Sequence, residues 1–262
     1  MDLRKWFINR FVLGPITEEP TINYECVEFR AQDGVLLRGW WLPAPASRKC
    51  IIIVHGGLKH RADPSIGTIQ LAQDLVERGY NVFMFDLRGH GESEGEWGTV
   101  AIDEAQDVLA AFEYVISRGI DPKDISFLAF SMGAAATLLA ATRDKRISAI
   151  VSDSCWAVFS DIMRFRWDTF PRCLMNLLLQ VVLGQLPGSN PVEIVENIPV
   201  TTRMLFVHGK KDRTIPYVDA KRLRKASKNP AQLWGVDDAF HVGAYRFNSD
   251  EYVRRVIAFL EG

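Results

Sequence analysis

The stretch Ile125-Ser126-Phe127-Leu128-Ala129-Phe130-Ser131-Met132-Gly133-Ala134-Ala135-Ala136 leaves the chain few folds to choose from. The apolar run from Ile125 to Phe130 reads as a buried strand, and an Ala-rich, helix-forming run follows with only Ser131 between them. A strand that becomes a helix within one residue leaves that residue on a sharp, strained corner above the sheet edge. The new helix aims its unpaired N–H groups and positive dipole end at the same place. A serine held there is placed to attack a carbonyl. The pattern is G-x-S-x-G with Ala129 in the first glycine's place, a position that needs small size for strand–helix packing rather than a positive φ. The plainer alternative is an ordinary strand–helix junction with Ser131 as its N-cap.

The rest of the chain supplies the sheet that such a corner requires. Tyr24 to Arg30 and Val35 to Leu42 alternate in polarity around Asp33-Gly34, the signature of a hairpin. Cys50 to Val54 is a continuous β-branched run, as expected of a strand buried on both faces. From there strands and helices alternate: helix over 66–78, strand over 80–86, helix over 100–118, then the corner strand and its helix over 131–143. Strands over 147–153, 201–207 and 232–236 follow, with helices over 217–227 and 251–260. This rhythm predicts an α/β fold, a mostly parallel central sheet with helices on both faces. Length agrees, since 262 residues suit one large domain.

Two segments stand apart. About fifty residues between Asp153 and Thr201 carry no strand signal but have apolar, helix-like runs with Trp156, Trp167 and Phe170. That length predicts an inserted helical cap over about 154–199, at the carboxyl edge where open α/β sheets place their sites. A long crossover helix pair is the alternative. Residues 1–23 form an N-terminal arm, with 24–262 as the main domain. The arm is basic and aromatic (Arg4, Lys5, Trp6, Phe7, Arg10, Phe11), without the features of a signal peptide. It is expected to pack on the domain or face a partner, with a weak membrane-surface contact as the alternative.

Composition excludes some functions. A net charge of −1 gives no reason to expect a nucleic-acid partner. Cys26, Cys50, Cys155 and Cys173 lack metal-ligand or disulfide-framework spacing, so a reduced, cytoplasmic protein is expected, with Cys26 and Cys50 in the core. No stretch reaches the roughly 18 apolar residues of a membrane span. His55, His90 and His208 sit at strand ends but without HExxH or paired-ligand spacing, so neither a metal nor a cofactor is expected.

A nucleophilic serine needs a base, an acid to orient it and donors for the oxyanion. Asp212 lies just past the strand Met204-Leu205-Phe206-Val207, and His241 lies in the loop before the last helix. Asp153, also at a strand end, is the second choice for the acid. Asp237 and Asp238, so near His241 in sequence, read as a solvated turn, and Lys221 to Lys225 as an exposed helical face. The order Ser…Asp…His is that of the α/β-hydrolases.

Four motifs carry a resemblance to the serine-dependent α/β-hydrolases, from about residue 25 to 260: His55-Gly56-Gly57, Asp86-Leu87-Arg88-Gly89-His90-Gly91-Glu92-Ser93, Ser131-Met132-Gly133, and His208-Gly209-x-x-Asp212-x-x-x-Pro216. The chain is similar to monoacylglycerol lipases, carboxylesterases and prolyl-oligopeptidase-type catalytic domains. It departs from them at Ala129 and at Phe240, where the family commonly has glycine before its base. The resemblance implies Ser131 as nucleophile, His241 as base and Asp212 as its orienting acid. It implies Met132 and Gly57 N–H as oxyanion donors, Leu58 being the next candidate, and His55 and His90 as braces of the loops around them. The implied activity is hydrolysis of a small-molecule carboxylic ester with a hydrophobic acyl or alcohol part, through an acyl-enzyme and without a cofactor. A thioesterase or lipase on the same residues, or a non-catalytic ligand-binding protein, are the alternatives.

Overall fold

The computed structural model describes residues 15–96, 99–161 and 190–262. Eight strands form one sheet: β1 (Glu25–Arg30), β2 (Leu36–Leu42), β3 (Cys50–Val54), β4 (Asn81–Phe85), β5 (Ile125–Phe130), β6 (Ala149–Asp153), β7 (Arg203–Gly209) and β8 (Ala231–Val236). Their spatial order is β1-β2-β4-β3-β5-β6-β7-β8. The hairpin β1–β2 and the β2–β4 pair are antiparallel, and every other pair is parallel. The strand order reverses at β3, which has β4 on one side and β5 on the other, so the carboxyl ends of β3 and β5 flank a crevice.

The strand side chains alternate between two cores. Ile52 and Val54 of β3 face the core under helices α2 (Glu104–Ser117), α3 (Met132–Arg143) and α4 (Val218–Ala226), whereas Ile51 and Ile53 face the core under α1 (Thr68–Glu77) and α5 (Ser249–Glu261). Both faces of the sheet are therefore covered, which is why β3 reads as an unbroken apolar run. No helix among the described residues is long and apolar enough to cross a membrane.

Some expectations need correcting. Helix α2 begins at Glu104 and not near Val100, because Ala101 takes a left-handed φ of 76° and Thr99 Oγ1 accepts the Asp103 N–H at 3.0 Å. Cys26 is exposed, near the start of the edge strand β1; Cys50 is buried as expected. Residues 1–14 of the arm lie outside the described residues. Its remainder packs on the domain, with Ile16 and Ile22 against the α1/α5 core and the Thr21 N–H donating to Gln73 Oε1 at 2.9 Å. Most of the expected cap, 162–189, also lies outside the described residues. Its two described ends are tied together, Val192 N–H to the Ala157 carbonyl and Phe159 N–H to Asn190 Oδ1, each at 3.1 Å. The chain thus leaves and rejoins the domain at neighbouring points.

Candidate active site

Ser131 occupies the corner between β5 and α3 with φ 49° and ψ −115°, a conformation that costs on the order of 1–3 kcal/mol. Packing forces the corner. In the parallel register Val54 of β3 sits beside Ala129 of β5. The helix after the corner lies so close to β3 that a Cβ on Gly133 would collide with the carbonyl oxygens of Val54 and His55. Glycine is therefore required at Gly133. Ala129, fully buried and without a positive φ, is tolerated in the first position.

As a side-chain cap, the Ser131 hydroxyl would accept a backbone N–H of its own helix, and it accepts none. Its Oγ lies 3.1 Å from His241 Nε2, and His241 Nδ1 lies 2.7 Å from Asp212 Oδ2. Asp212 is buried, and its Oδ1 accepts the N–H groups of Thr214 and Ile215 at 2.7 and 2.8 Å. Burial alone would raise its pKa, but hydrogen bonds from His208 and His241 reverse this and hold the carboxyl well below the usual carboxylate range. An ionised Asp212 accepts only, so His241 Nδ1 carries the proton and Nε2 presents a lone pair to the serine hydroxyl.

The loop after β3 runs beside this row. A Cβ on Gly56 would lie 3.3 Å from Ser131 Cβ, and one on Gly57 3.1 Å from Met132 Sδ. The N–H of Met132, in the first turn of α3, has no partner within its own helix. The Leu58 N–H is already donated to His90 Nε2 at 3.2 Å.

His55 and His90 are buried braces. Carbonyl oxygens only accept, so the contacts His55 Nδ1–Gly56 O (2.7 Å) and His90 Nδ1–Arg88 O (2.8 Å) fix the proton on Nδ1 in both rings. Their Nε2 atoms accept from Leu87 N–H at 3.0 Å and from Leu58 N–H. Burial lowers each pKa to about 4, so both stay neutral near pH 7. Among the described residues no cluster of His, Cys, Asp and Glu is placed to hold a metal ion.

The other acidic candidates separate cleanly. Asp237 and Asp238 pair with Lys210 and Lys211 at the surface. Asp153, the second choice for the acid, does not bond His241: its Oδ1 accepts from Ser154 Oγ at 2.8 Å and its Oδ2 from Tyr252 Oη at 2.9 Å. Burial pushes its pKa up to about 6, against the pull of those two hydroxyls. Two features escaped the sequence. His208 Nε2 lies 2.8 Å from the Ile215 carbonyl and 3.3 Å from Asp212 Oδ2, steadying the acid from behind; its place in the His208-Gly209 motif was the available signal. Ser154 carried no signal at all.

Comparison with known proteins identifies the family and the fold. The family model described as serine aminopeptidase, S33, matches residues 45–191. The uncharacterized protein YfhR of Escherichia coli (strain K12) is 30% identical over 247 residues, covering 90% of this chain and 80% of its own. A polyketide transferase of Stachybotrys chlorohalonatus is 30% identical over 172 residues, 64% of this chain and 55% of its own. Among solved structures, an esterase of Pyrococcus furiosus superposes with a TM-score of 0.77 at 26% identity, over 95% of this chain and 98% of that one. With more than half its length matched by the family model and its fold shared throughout, this chain belongs to the serine aminopeptidase (S33) family of α/β-hydrolases.

Proposed function

We propose that the protein hydrolyses carboxylic esters through an acyl-enzyme formed on Ser131. The observation that carries this reading is the continuous row Ser131 Oγ–His241 Nε2–Asp212, at 3.1 and 2.7 Å, on a strained corner. Ser131 attacks the ester carbonyl while His241 Nε2 takes its proton. The oxyanion falls to the N–H groups of Met132 and Gly57, each such donor being worth about 3–4 kcal/mol in related sites. His241 then returns the proton to the departing alcohol, and Asp212 holds the imidazolium throughout. A water activated by His241 releases the acid and restores Ser131. A purely ligand-binding role has no need of this hydrogen-bonded row.

Leu58 and Phe240, next in the chain to Gly57 and His241, are 37% and 56% exposed. They favour a hydrophobic group on the substrate. The likeness to an esterase of P. furiosus supports the ester reading. The likeness to a polyketide transferase supports a second one, in which the same acyl-enzyme is loaded from a thioester.

Labelling with a fluorophosphonate probe, beside turnover of p-nitrophenyl esters of increasing chain length and of an acyl thioester, tests these readings. Wild type is expected to label and to prefer esters, and Ser131→Ala to do neither. Preference for the thioester would favour the second reading. Failure of a folded wild type to label would remove both.

A further inference from the structure

Among the non-glycine residues with positive φ at the carboxyl edge are Ser131 (49°), Ser154 (57°) and Val242 (50°). Val242 follows the base His241 directly. For a β-branched residue this conformation is a genuine outlier, which persists only where the surroundings over-determine it. All three strained positions meet at the end of β6. The Asp153 carbonyl accepts the Ser131 N–H at 2.9 Å. Ser154 Oγ accepts the Val242 N–H at 3.1 Å and donates to Asp153 Oδ1 at 2.8 Å. Tyr252 Oη, from α5, donates to Asp153 Oδ2 at 2.9 Å, and the Ser154 N–H is fixed to the Val207 carbonyl of β7 at 2.9 Å. Asp153, Ser154 and Tyr252 are all buried, and none of them touches Ser131 Oγ or the imidazole by a hydrogen bond.

We infer that Asp153 and Ser154 are positioning residues, a joint that sets the nucleophile corner and the base loop in register through one pair of adjacent residues. The backbone of Asp153 holds the residue that attacks. The hydroxyl of Ser154, aimed by the Asp153 carboxylate, holds the backbone beside the base. A polar joint suits this task better than apolar packing, because a hydrogen bond to the Val242 N–H fixes direction as well as distance. This inference rests on the proposed roles of Ser131 and His241.

The test is steady-state ester kinetics and fluorophosphonate labelling rates of Ser154→Gly, Tyr252→Phe and, as a control, Thr202→Ala. Glycine tolerates the positive φ at 154, so Ser154→Gly removes the hydroxyl without adding backbone strain. Thr202 Oγ1 donates to the Ile147 carbonyl at 2.8 Å before β7, at the opposite edge of the sheet, so its variant loses a comparable buried hydrogen bond far from the joint. Ser154→Gly is expected to lower kcat and the labelling rate about 10- to 100-fold, as a misplaced base does. KM should stay within about threefold, the signature of an interaction made in the transition state. Tyr252→Phe removes only the outer donor, so the same split at about threefold in kcat is expected, and it decides the matter if Ser154→Gly does not fold. Wild-type rates in these variants, or losses no larger than those of Thr202→Ala, overturn the joint while wild-type labelling leaves the proposed function standing. Absence of wild-type labelling removes the proposed function first.

Discussion

The loop after β4 and the loop after β8 both lie at the carboxyl edge of the sheet, yet they are held by different means. In the first, Asp86 is buried and surrounded by donors: the Arg61 guanidinium, the Arg61 N–H at 2.7 Å and the Glu92 N–H at 2.9 Å. Arg88 bonds Asp107 and Asp33, and Ser93 Oγ closes on the Asp86 carbonyl at 2.6 Å. Between Asp86 and Glu96 the left-handed positions belong to Gly89, Gly91 and Gly95, and a Cβ on Gly91 would collide with the Asp86 carboxylate. In the second, Val242 takes the left-handed position and Phe240 stands exposed beside His241. The first loop is a scaffold tied down by buried ion pairs. The second stores strain beside His241, the proposed base. Damage to the scaffold should therefore appear as lost stability, and damage to the base loop and its partners as lost rate.

The largest expected effect breaks the row itself. Asp212→Asn keeps an acceptor for Thr214 and Ile215 N–H but sets an amide against the protonated Nδ1 of His241, favouring the wrong tautomer. Turnover should fall about 10⁴-fold with the thermal midpoint little changed. A loss below tenfold in ester turnover would mean that the acid lies elsewhere.

Asp86→Ala should do the opposite. It leaves Arg61 charged, buried and short of its main partner, at a cost of about 3–5 kcal/mol in denaturant unfolding. The kcat of the folded fraction should stay within about tenfold. If rate fell more than stability, the division of labour between the two loops would be wrong.

His90→Gln sharpens the comparison through pH. The folded pKa of His90 lies near 4, below the ordinary 6.5. Below pH 6.5 the unfolded chain therefore takes up a proton that the folded chain refuses, and this group's stabilisation, complete above pH 6.5, is lost as pH falls towards 4. The variant has no such loss. Its stability deficit at pH 7 should thus narrow by up to about 3 kcal/mol by pH 4, measured by chemical unfolding at both values. A constant deficit would show that His90 is not held neutral.

The smallest effect concerns the corner. Ala129→Gly restores the common form of the motif within a buried strand. It should cost about 0.5–1 kcal/mol of stability and leave ester turnover unchanged. Faster turnover would mean that the methyl group of Ala129 restrains the nucleophile.

Much of this was written locally. Strand–helix alternation, the Asp33-Gly34 hairpin and the run from Ile125 to Ala136 determined the order of elements and the corner, because side-chain period, turn chemistry and helix propensity act over a few residues. The chain order of Ser131, Asp212 and His241 was equally legible, since each follows its own strand. Tertiary structure alone decided between Asp212 and Asp153. Asp153 ends β6 and Asp212 lies just past the adjacent β7, and only packing shows that one meets a serine and a tyrosine and the other an imidazole. It alone placed Cys26 outside, delayed α2 to Glu104, and joined Ser131 to Val242 through residues 153 and 154. Those outcomes depend on which distant groups share one buried volume, and hydrogen bonds across 88 or 110 residues of chain leave no mark on the residues between.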